Sequence, residues 1–367
     1  MGKKIAFICS SLECGGAEKC LSLLANELCA RNFNVSVTTL YRNAGPPFFS
    51  LHEEIEFFPV GLFGRQKGRI NNLLFNLIGL AKLRSHIKMI SPDIIVSFLD
   101  WVNILTVLST IGTRIPVVIS ERADPRHGEV DPLLSLLRRA IYLQSALIHV
   151  QTRALADYFC SFIARDKIKV IPNPVQIPQD QTASLSSRTI LAIGRLTYQK
   201  GFDCLIKAFA ALHVSFPDWR LVIAGEGPER RNLESLIRAH NLSDSTKLKG
   251  EVKQPSQLYR DAGIFVLSSR FEGFPNVLCE AMSFGLPCIS TNCPSGPAEI
   301  ITHEKDGLLI ETDNISALAA ALQRLITNEE ERKQLGVQAR NSIARFQIGR
   351  IVDQWQDLFT ELKPASN

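Results

Sequence analysis

Glu272 and Glu280 stand eight residues apart in SRFEGFPNVLCEAMSFGLP (269–287). The first lies in a glycine-marked loop behind an apolar run, and the second in the helix that Pro275 introduces. Carboxylates suit polyols, because each oxygen accepts strong charge-assisted hydrogen bonds. Glu280 is expected to accept both hydroxyls of a ribose, and Glu272 to reach the hydroxyls of another sugar. The backbone from Phe274 and Pro275 to Asn276 and Val277 opens the helix, where its amides are expected to meet phosphate or sugar oxygens. A solvated loop followed by a helix whose dipole favours an acid accounts for the same residues without chemistry.

Upstream, GRLTYQKGFDCL (194–205) sets Arg195 and Lys200 five apart, with Gly201 behind them. Two cations at the ligand edge of a sheet suit a diphosphate, arginine as a fork of donors and lysine as a mobile point charge. A solvated basic loop is the alternative. In AGEGPERRNLE (224–234), Gly225 and Gly227 follow another apolar run and are expected to leave room for a nucleotide. In SLECGGAEKC (11–20), Gly15 and Gly16 let the backbone approach a ligand closely and precede a helix N-terminus with unpaired amides. That pair is not GxGxxG, and a structural turn fits it equally well. No GxxxxGK[ST] occurs, which excludes a P-loop ATPase.

These loops all follow strand-like runs. Apolar stretches at 4–9, 34–40, 93–98, 116–121, 146–151 and 169–173 alternate with helical periodicity, as in Leu21, Leu24, Ala25 and Leu28. The pattern restarts after a polar stretch (179–188), with strands expected at 189–195, 220–227, 247–250, 263–269, 287–291 and 307–311. Strands apolar throughout and separated by helices indicate parallel sheets covered on both faces. The 367 residues exceed what one core usually supports, so two doubly wound α/β domains are expected, joined near the proline-rich IPNPVQIP (171–178). In such sheets the ligand lies beyond the carboxyl ends of the strands. Two of them facing one another make a cleft whose closure holds reactants together and excludes water. The final helix, with Trp355, Leu358 and Phe359, either crosses back onto the first domain or packs within the second.

Hydrophobic residues make up 46% of the chain and charged residues 21%, the balance of an ordered globular protein. Nine scattered cysteines with no CxxC fit a reducing, cytoplasmic compartment and give no sign of structural zinc; no metal site is expected. The opening MGKKIAFICSS reads as a first strand rather than a signal peptide, and no apolar run is long enough to span a bilayer. The net charge of +5 is unevenly placed: residues 1–175 carry 20 Lys and Arg against 14 Asp and Glu, the remainder 21 against 22. Within the first half, residues 64–91 hold six Lys and Arg and no acid. A helix expected from about Ile70 to Met89 mixes Leu73, Leu74, Leu77, Ile78 and Ala81 with Lys82, Arg84 and Lys88. Such a segment suits an anionic membrane surface, peripheral to the inner face of the cytoplasmic membrane. Its alternative is an ordinary helix buried on one face. Nucleic acid is not expected as a partner, because the basic segment lacks an aromatic stacking array.

In combination, GGAE (15–18), GRLTYQKG (194–201), GEGPE (225–229), SSRFEGFPNVLCEAMSFGLP (268–287), GPAEII (296–301) and DGLL (306–309) resemble the retaining glycosyltransferase family 4, over essentially the whole chain. The resemblance implies a GT-B fold: an acceptor-side Rossmann-like domain (1–175), a nucleotide-sugar domain (176–345) and a final helix (346–367). It implies that Arg195 and Lys200 grip the diphosphate and stabilise the leaving group, with Glu280 on the ribose and Glu272 on the donor sugar. Gly15 and Gly16 match the first-domain loop that closes over phosphate and sugar. Where many family members carry a histidine near the donor sugar, this chain has SERADPRHG (120–128). Glu121, Arg122 and Asp124 are expected there as donor or acceptor contacts, or as a buried ion-pair cluster. This loop resembles a branch that adds sugars, often N-acetylhexosamines, during cell-surface glycan assembly. The implied reaction moves a hexosyl unit such as GalNAc or GlcNAc from a UDP-sugar to a lipid-linked or glycan acceptor, without a cofactor. An enzyme acting on a soluble sugar phosphate and a non-catalytic nucleotide-sugar-binding protein are the rivals.

Overall fold

The computed structural model describes residues 3–41, 46–61, 69–122, 124–127, 132–179 and 182–362. The chain divides into two compact units, one of Met1–Pro174 with Ile348–Asn367, the other of Val175–Gln347.

The first unit is built on strands β1 (Lys4–Cys9), β2 (Asn34–Thr39), β3 (Glu56–Pro59), β4 (Ile94–Phe98), β5 (Val117–Ser120), β6 (Leu147–Val150) and β7 (Ile168–Val170). They form one parallel sheet in the order β3-β2-β1-β4-β5-β6-β7. In β1 the residues Ile5 to Cys9 are buried irrespective of which face they point to, as a sheet covered by helices on both sides requires. β3 was not expected from the sequence. EFFP is only half-buried and ends in a proline, so it shows neither the continuous apolar run of a central strand nor a clean alternation. Its place at the sheet edge explains both.

The second unit holds β8 (Thr189–Ile193), β9 (Arg220–Ala224), β10 (Thr246–Leu248), β11 (Ile264–Leu267), β12 (Cys288–Thr291) and β13 (Leu308–Ile310). Its parallel order is β10-β9-β8-β11-β12-β13. Both sheets therefore wind outward in two directions from a switch point, β1/β4 in one and β8/β11 in the other. At such a point the two following loops diverge to opposite faces and leave a crevice at the strands' carboxyl ends. Around β8 the core gathers Leu205, Phe209, Leu221, Ile264, Leu322 and Leu325.

The final helix, Ile348–Glu361, lies against the first unit. Its apolar stripe, Ile351, Val352, Trp355, Leu358 and Phe359, is buried. Trp355 packs 4.5 Å from the His149 ring. Polar ties flank this stripe: Arg31 to Asp353 at 2.6 Å and Lys169 to Glu361 at 2.5 Å.

In the basic segment, the helix runs Arg69–Ile90. Residues 64–68 lie outside the described residues, as do the side chains of 69–76, including Leu73 and Leu74. Leu83, Ile87 and Ile90 form its buried side. Leu77 and Ile78 face outward instead, 54% and 55% exposed, although the apolar pattern of the sequence does not distinguish them from the buried set.

Candidate active site

The loops after β8 and β11 flank the switch point of the second unit, and hydrogen bonds to backbone carbonyls zip them together. Arg270 N–H donates to the Gln199 carbonyl at 2.7 Å, and the Gln199 amide donates to the Phe271 carbonyl at 2.9 Å. The Ser268 hydroxyl donates to the Lys200 carbonyl at 2.8 Å. Gly201 makes this proximity possible. It sits at φ 61°, and a Cβ there would fall 2.1 Å from the Ser268 carbonyl oxygen.

The zipped loops bring Lys200 onto Glu272. Lys200 Nζ lies 2.6 Å from Glu272 Oε1, which also accepts from the Ser269 hydroxyl at 2.6 Å. Glu272 is 6% exposed, so this is a largely desolvated pair in which neither charge is left uncompensated. The lysine stem lies across Gly194, within 3.3 Å of where a Cβ would stand. Arg195, by contrast, is exposed, and among the described residues its guanidinium has no hydrogen-bonded or ionic partner.

Arg270 braces the same loop from outside. It pairs with Asp203 at 2.9 Å and Asp313 at 2.7 Å, donates to the Tyr198 carbonyl at 2.7 Å and stacks 4.1 Å over the Tyr198 ring. Sequence reasoning passed over Arg270, since an arginine in a loop carries no sign of three partners distant in the chain.

Glu280 sits on the second turn of helix Asn276–Ser283, where Tyr259 donates to its Oε2 at 2.9 Å. Burial and then the Glu280 charge hold the Tyr259 phenol well above its ordinary value, keeping it a donor. Pro275 precedes the helix, and no side chain caps that end. Phe274 is buried against Phe346, with ring centroids 5.7 Å apart, so it supports the turn from inside while Asn276 and Val277 stay partly exposed.

Close packing shapes two further groups of the expected site residues. At Gly225 and Gly227 the side where a Cβ would stand is filled by neighbouring backbone. A Cβ at Gly225 would lie 1.9 Å from the Gly194 carbonyl oxygen and one at Gly227 2.4 Å from that of Leu196. These glycines let the loop after β9 press against the Arg195 loop, with Leu196 N–H donating to the Glu226 carbonyl at 2.8 Å.

The other is Glu121, which is fully enclosed, as the buried-cluster alternative for this loop has it. Asn103 donates to its Oε1 at 3.0 Å, and the Tyr142 hydroxyl donates to the same oxygen. Burial, reinforced by Asp100, pushes this carboxyl from its ordinary 4.5 up to about 8. Arg122 lies 4.2 Å over the Phe98 ring and donates to Asn173 at 2.5 Å, and Asp124 is held by Arg126 at 2.6 Å. At the other glycine loop, Gly15 precedes helix Gly16–Ala30, and a Cβ on it would fall 2.1 Å from Glu18 Oε2. The carboxylate of that helix's own first turn thus lies over the glycine.

Residues 176–342 match the family model described as glycosyl transferases group 1, and residues 14–177 match the one described as Glycosyltransferase Family 4. A Campylobacter jejuni relative is GalNAc-alpha-(1->4)-GalNAc-alpha-(1->3)-diNAcBac-PP-undecaprenol alpha-1,4-N-acetyl-D-galactosaminyltransferase. It is 30% identical, over 99% of each chain. Among solved structures, sucrose-phosphate synthase from Thermosynechococcus elongatus superposes with a TM-score of 0.85 at 19% identity, covering 99% of this chain and 100% of that one. Anabaena HepE in complex with UDP does so at 0.80 and 20%, covering 98% and 100%. Both sheets thus share the two-domain GT-B architecture of these enzymes.

The Glu121 environment gives a pH test. With a carboxyl raised in the folded state, the fold retains a proton that the unfolded chain has lost, so the penalty grows as pH rises from about 4.5 to about 8. Glu121→Gln keeps the shape and removes the titration. Denaturant unfolding across this window is expected to show wild-type stability declining relative to the variant as pH rises; a constant difference from pH 4.5 to 8 contradicts the assignment.

Proposed function

The chain belongs to the GT-B-fold glycosyltransferases, and from that membership we propose that it is a retaining family 4 enzyme moving an N-acetylhexosamine from a UDP-sugar to a lipid-linked glycan. The observation that carries the site reading is Lys200 held on Glu272 beside an unengaged Arg195. An ammonium has three donors, and Glu272 takes one, leaving two for phosphate oxygens. Arg195 supplies the fork that completes a grip on the diphosphate. As the sugar–phosphate bond breaks, negative charge grows on the departing UDP, and these two cations meet it there. Amides of the first turn of Asn276–Ser283 add their partial charge.

In this reading Glu280 orients the ribose, its carboxylate steadied by Tyr259. Glu272 Oε1 is committed to Lys200 and Ser269, so Oε2 is the atom offered to a donor-sugar hydroxyl. A carboxylate tied in this way is a poor nucleophile. Retention is then served by attack on the face the UDP leaves, with the leaving phosphate oxygen taking the acceptor proton, and no sugar–Glu272 ester forms.

The lipid-linked acceptor is supported by the Campylobacter relative, whose named substrate is joined to undecaprenol through a diphosphate. It is also supported by the outer face of helix Arg69–Ile90. There Leu77, Ile78 and Met89 (67% exposed) stand beside exposed Lys82 and Lys88. Trp101 and Leu136, on helices Asp100–Thr110 and Pro132–Tyr142 of the same unit, are 36% and 66% exposed. Apolar side chains among cations suit the interface of an anionic leaflet. No helix among the described residues is long and apolar enough to cross a membrane, so the proposed association is peripheral, on the cytoplasmic face.

Arg195→Ala and Lys200→Ala are each expected to lower turnover about 100-fold or more in a UDP-sugar transfer assay, as loss of one transition-state contact does; near-full activity in both folded variants contradicts the grip. Flotation of the full chain with anionic vesicles at low salt is expected to carry it upward, with Leu77→Asp/Ile78→Asp left behind. If the wild type does not float, the membrane reading fails.

A further inference from the structure

Apart from the loops described above, three side chains of the first unit converge. Cys29 lies near the end of helix Gly16–Ala30, and His52 and Glu54 lie in the loop that leads into β3. Cys29 Sγ stands 3.6 Å from His52 Nδ1 and 3.8 Å from Glu54 Oε2, and all three ligand atoms lie within 4.8 Å of one another. Tetrahedral zinc, with bonds of about 2.3 Å to sulfur and about 2.0–2.1 Å to nitrogen or oxygen, sets neighbouring ligand atoms roughly 3.6 Å apart. Both sulfur edges of the triangle are close to that spacing.

Hydrogen bonding holds the same arrangement only through long contacts, the thiol donating to Glu54 Oε2 at 3.8 Å. His52 Nδ1 accepts from the Glu54 N–H at 3.3 Å, so it carries no proton of its own to give to sulfur. The thiol has one proton and faces two acceptors. A divalent cation bound by the thiolate, Nδ1 and Oε2 engages all three at once. Its cost is the amide contact, which at 3.3 Å is already long for a hydrogen bond.

The loop is also held in place before any ion arrives. Asn26, one turn ahead of Cys29, accepts from the His52 N–H at 2.8 Å and donates to the Ser50 carbonyl at 2.9 Å. This fixes the loop backbone against the helix face that carries the cysteine, the kind of outer support that orients metal ligands. Cys29 is buried while His52 and Glu54 are exposed, which leaves a solvent side for a fourth ligand.

We propose that Cys29, His52 and Glu54 form a zinc site completed by water, which staples the segment before β3 to helix Gly16–Ala30. Thiolate and imidazole select zinc over magnesium or calcium, which take oxygen. The metal–sulfur bond forms as the thiol releases its proton to solvent. The site lies at the opposite end of that helix from Gly15 and Gly16, and the role proposed for the ion is to hold the loop to the helix. Pairs of cysteines in the sequence give no sign of it, because its ligands are three different residue types, with a strand and a loop between Cys29 and His52.

The test uses the full chain, stripped with a chelator and titrated with cobalt(II) as a spectroscopic probe, then with zinc(II). One tight equivalent is expected, with a thiolate-to-cobalt charge-transfer band that zinc abolishes and a rise in Tm on adding zinc. Cys29→Ser is expected to lose the band, and His52→Ala to bind at least tenfold more weakly. No band in the wild type, or an undiminished band in Cys29→Ser, overturns the proposal. Should Cys29→Ser not fold, His52→Ala and Glu54→Gln alter exposed positions, and wild-type zinc affinity in both overturns it equally.

Discussion

The Lys200–Glu272 pair is the contact around which the second unit's site is arranged. A lysine ammonium on a four-carbon stem is mobile and strongly hydrated, and an unrestrained one would sample far more volume than a phosphate-binding position allows. Here its stem rests on Gly194 and its head on a carboxylate that a serine also engages. Such a pair is expensive to bury, and breaking it from one side leaves the partner charge stranded. The surrounding loops answer that constraint. Gly201 permits the approach to Ser268, and Arg270 ties Tyr198 to Asp203 and Asp313. Gly225 and Gly227 admit the neighbouring loop against Gly194 and Leu196.

A different economy governs the corresponding region of the first unit. The carboxylate after β5 is turned inward onto Asn103 and Tyr142, and Arg122 lies flat on Phe98. That unit also carries a helical face where Leu77, Ile78 and Met89 are exposed among cations. In the proposed function one unit holds an activated sugar by its diphosphate and the other rests on the surface where a lipid-linked acceptor is found.

Much of this architecture was legible in the sequence, for identifiable reasons. Continuous apolar runs such as KIAFIC and GIFVLSS have no stable home outside a sheet covered on both faces, so the expected parallel strands match those in the structure. β3 escaped because an edge strand needs little apolar character. Arg195, Lys200, Glu272 and Glu280 were conspicuous because charged residues beside glycines at strand ends are hard to explain as packing. Their partners were not. Nothing in the local sequence tells that Lys200 meets Glu272 or that Tyr259 reaches Glu280, since these pairs are made by strand order. Glycine was the most ambiguous residue: at Gly225 the space a Cβ would take is filled by a neighbouring carbonyl, which the local sequence does not reveal. Glu121 was ambiguous for a related reason, because burial of a carboxylate depends on donors 18 and 21 residues away.

The central claim is that Arg195 and Lys200 recognise the paired phosphates of the donor, and it is tested most directly by calorimetric titration with UDP and with uridine. The account predicts that the wild-type protein binds UDP at least tenfold more tightly than uridine, about 1.4 kcal/mol, and that this advantage collapses in Arg195→Ala and Lys200→Ala while uridine affinity is unchanged. An undiminished preference for UDP in both variants would place the diphosphate elsewhere and contradict the account.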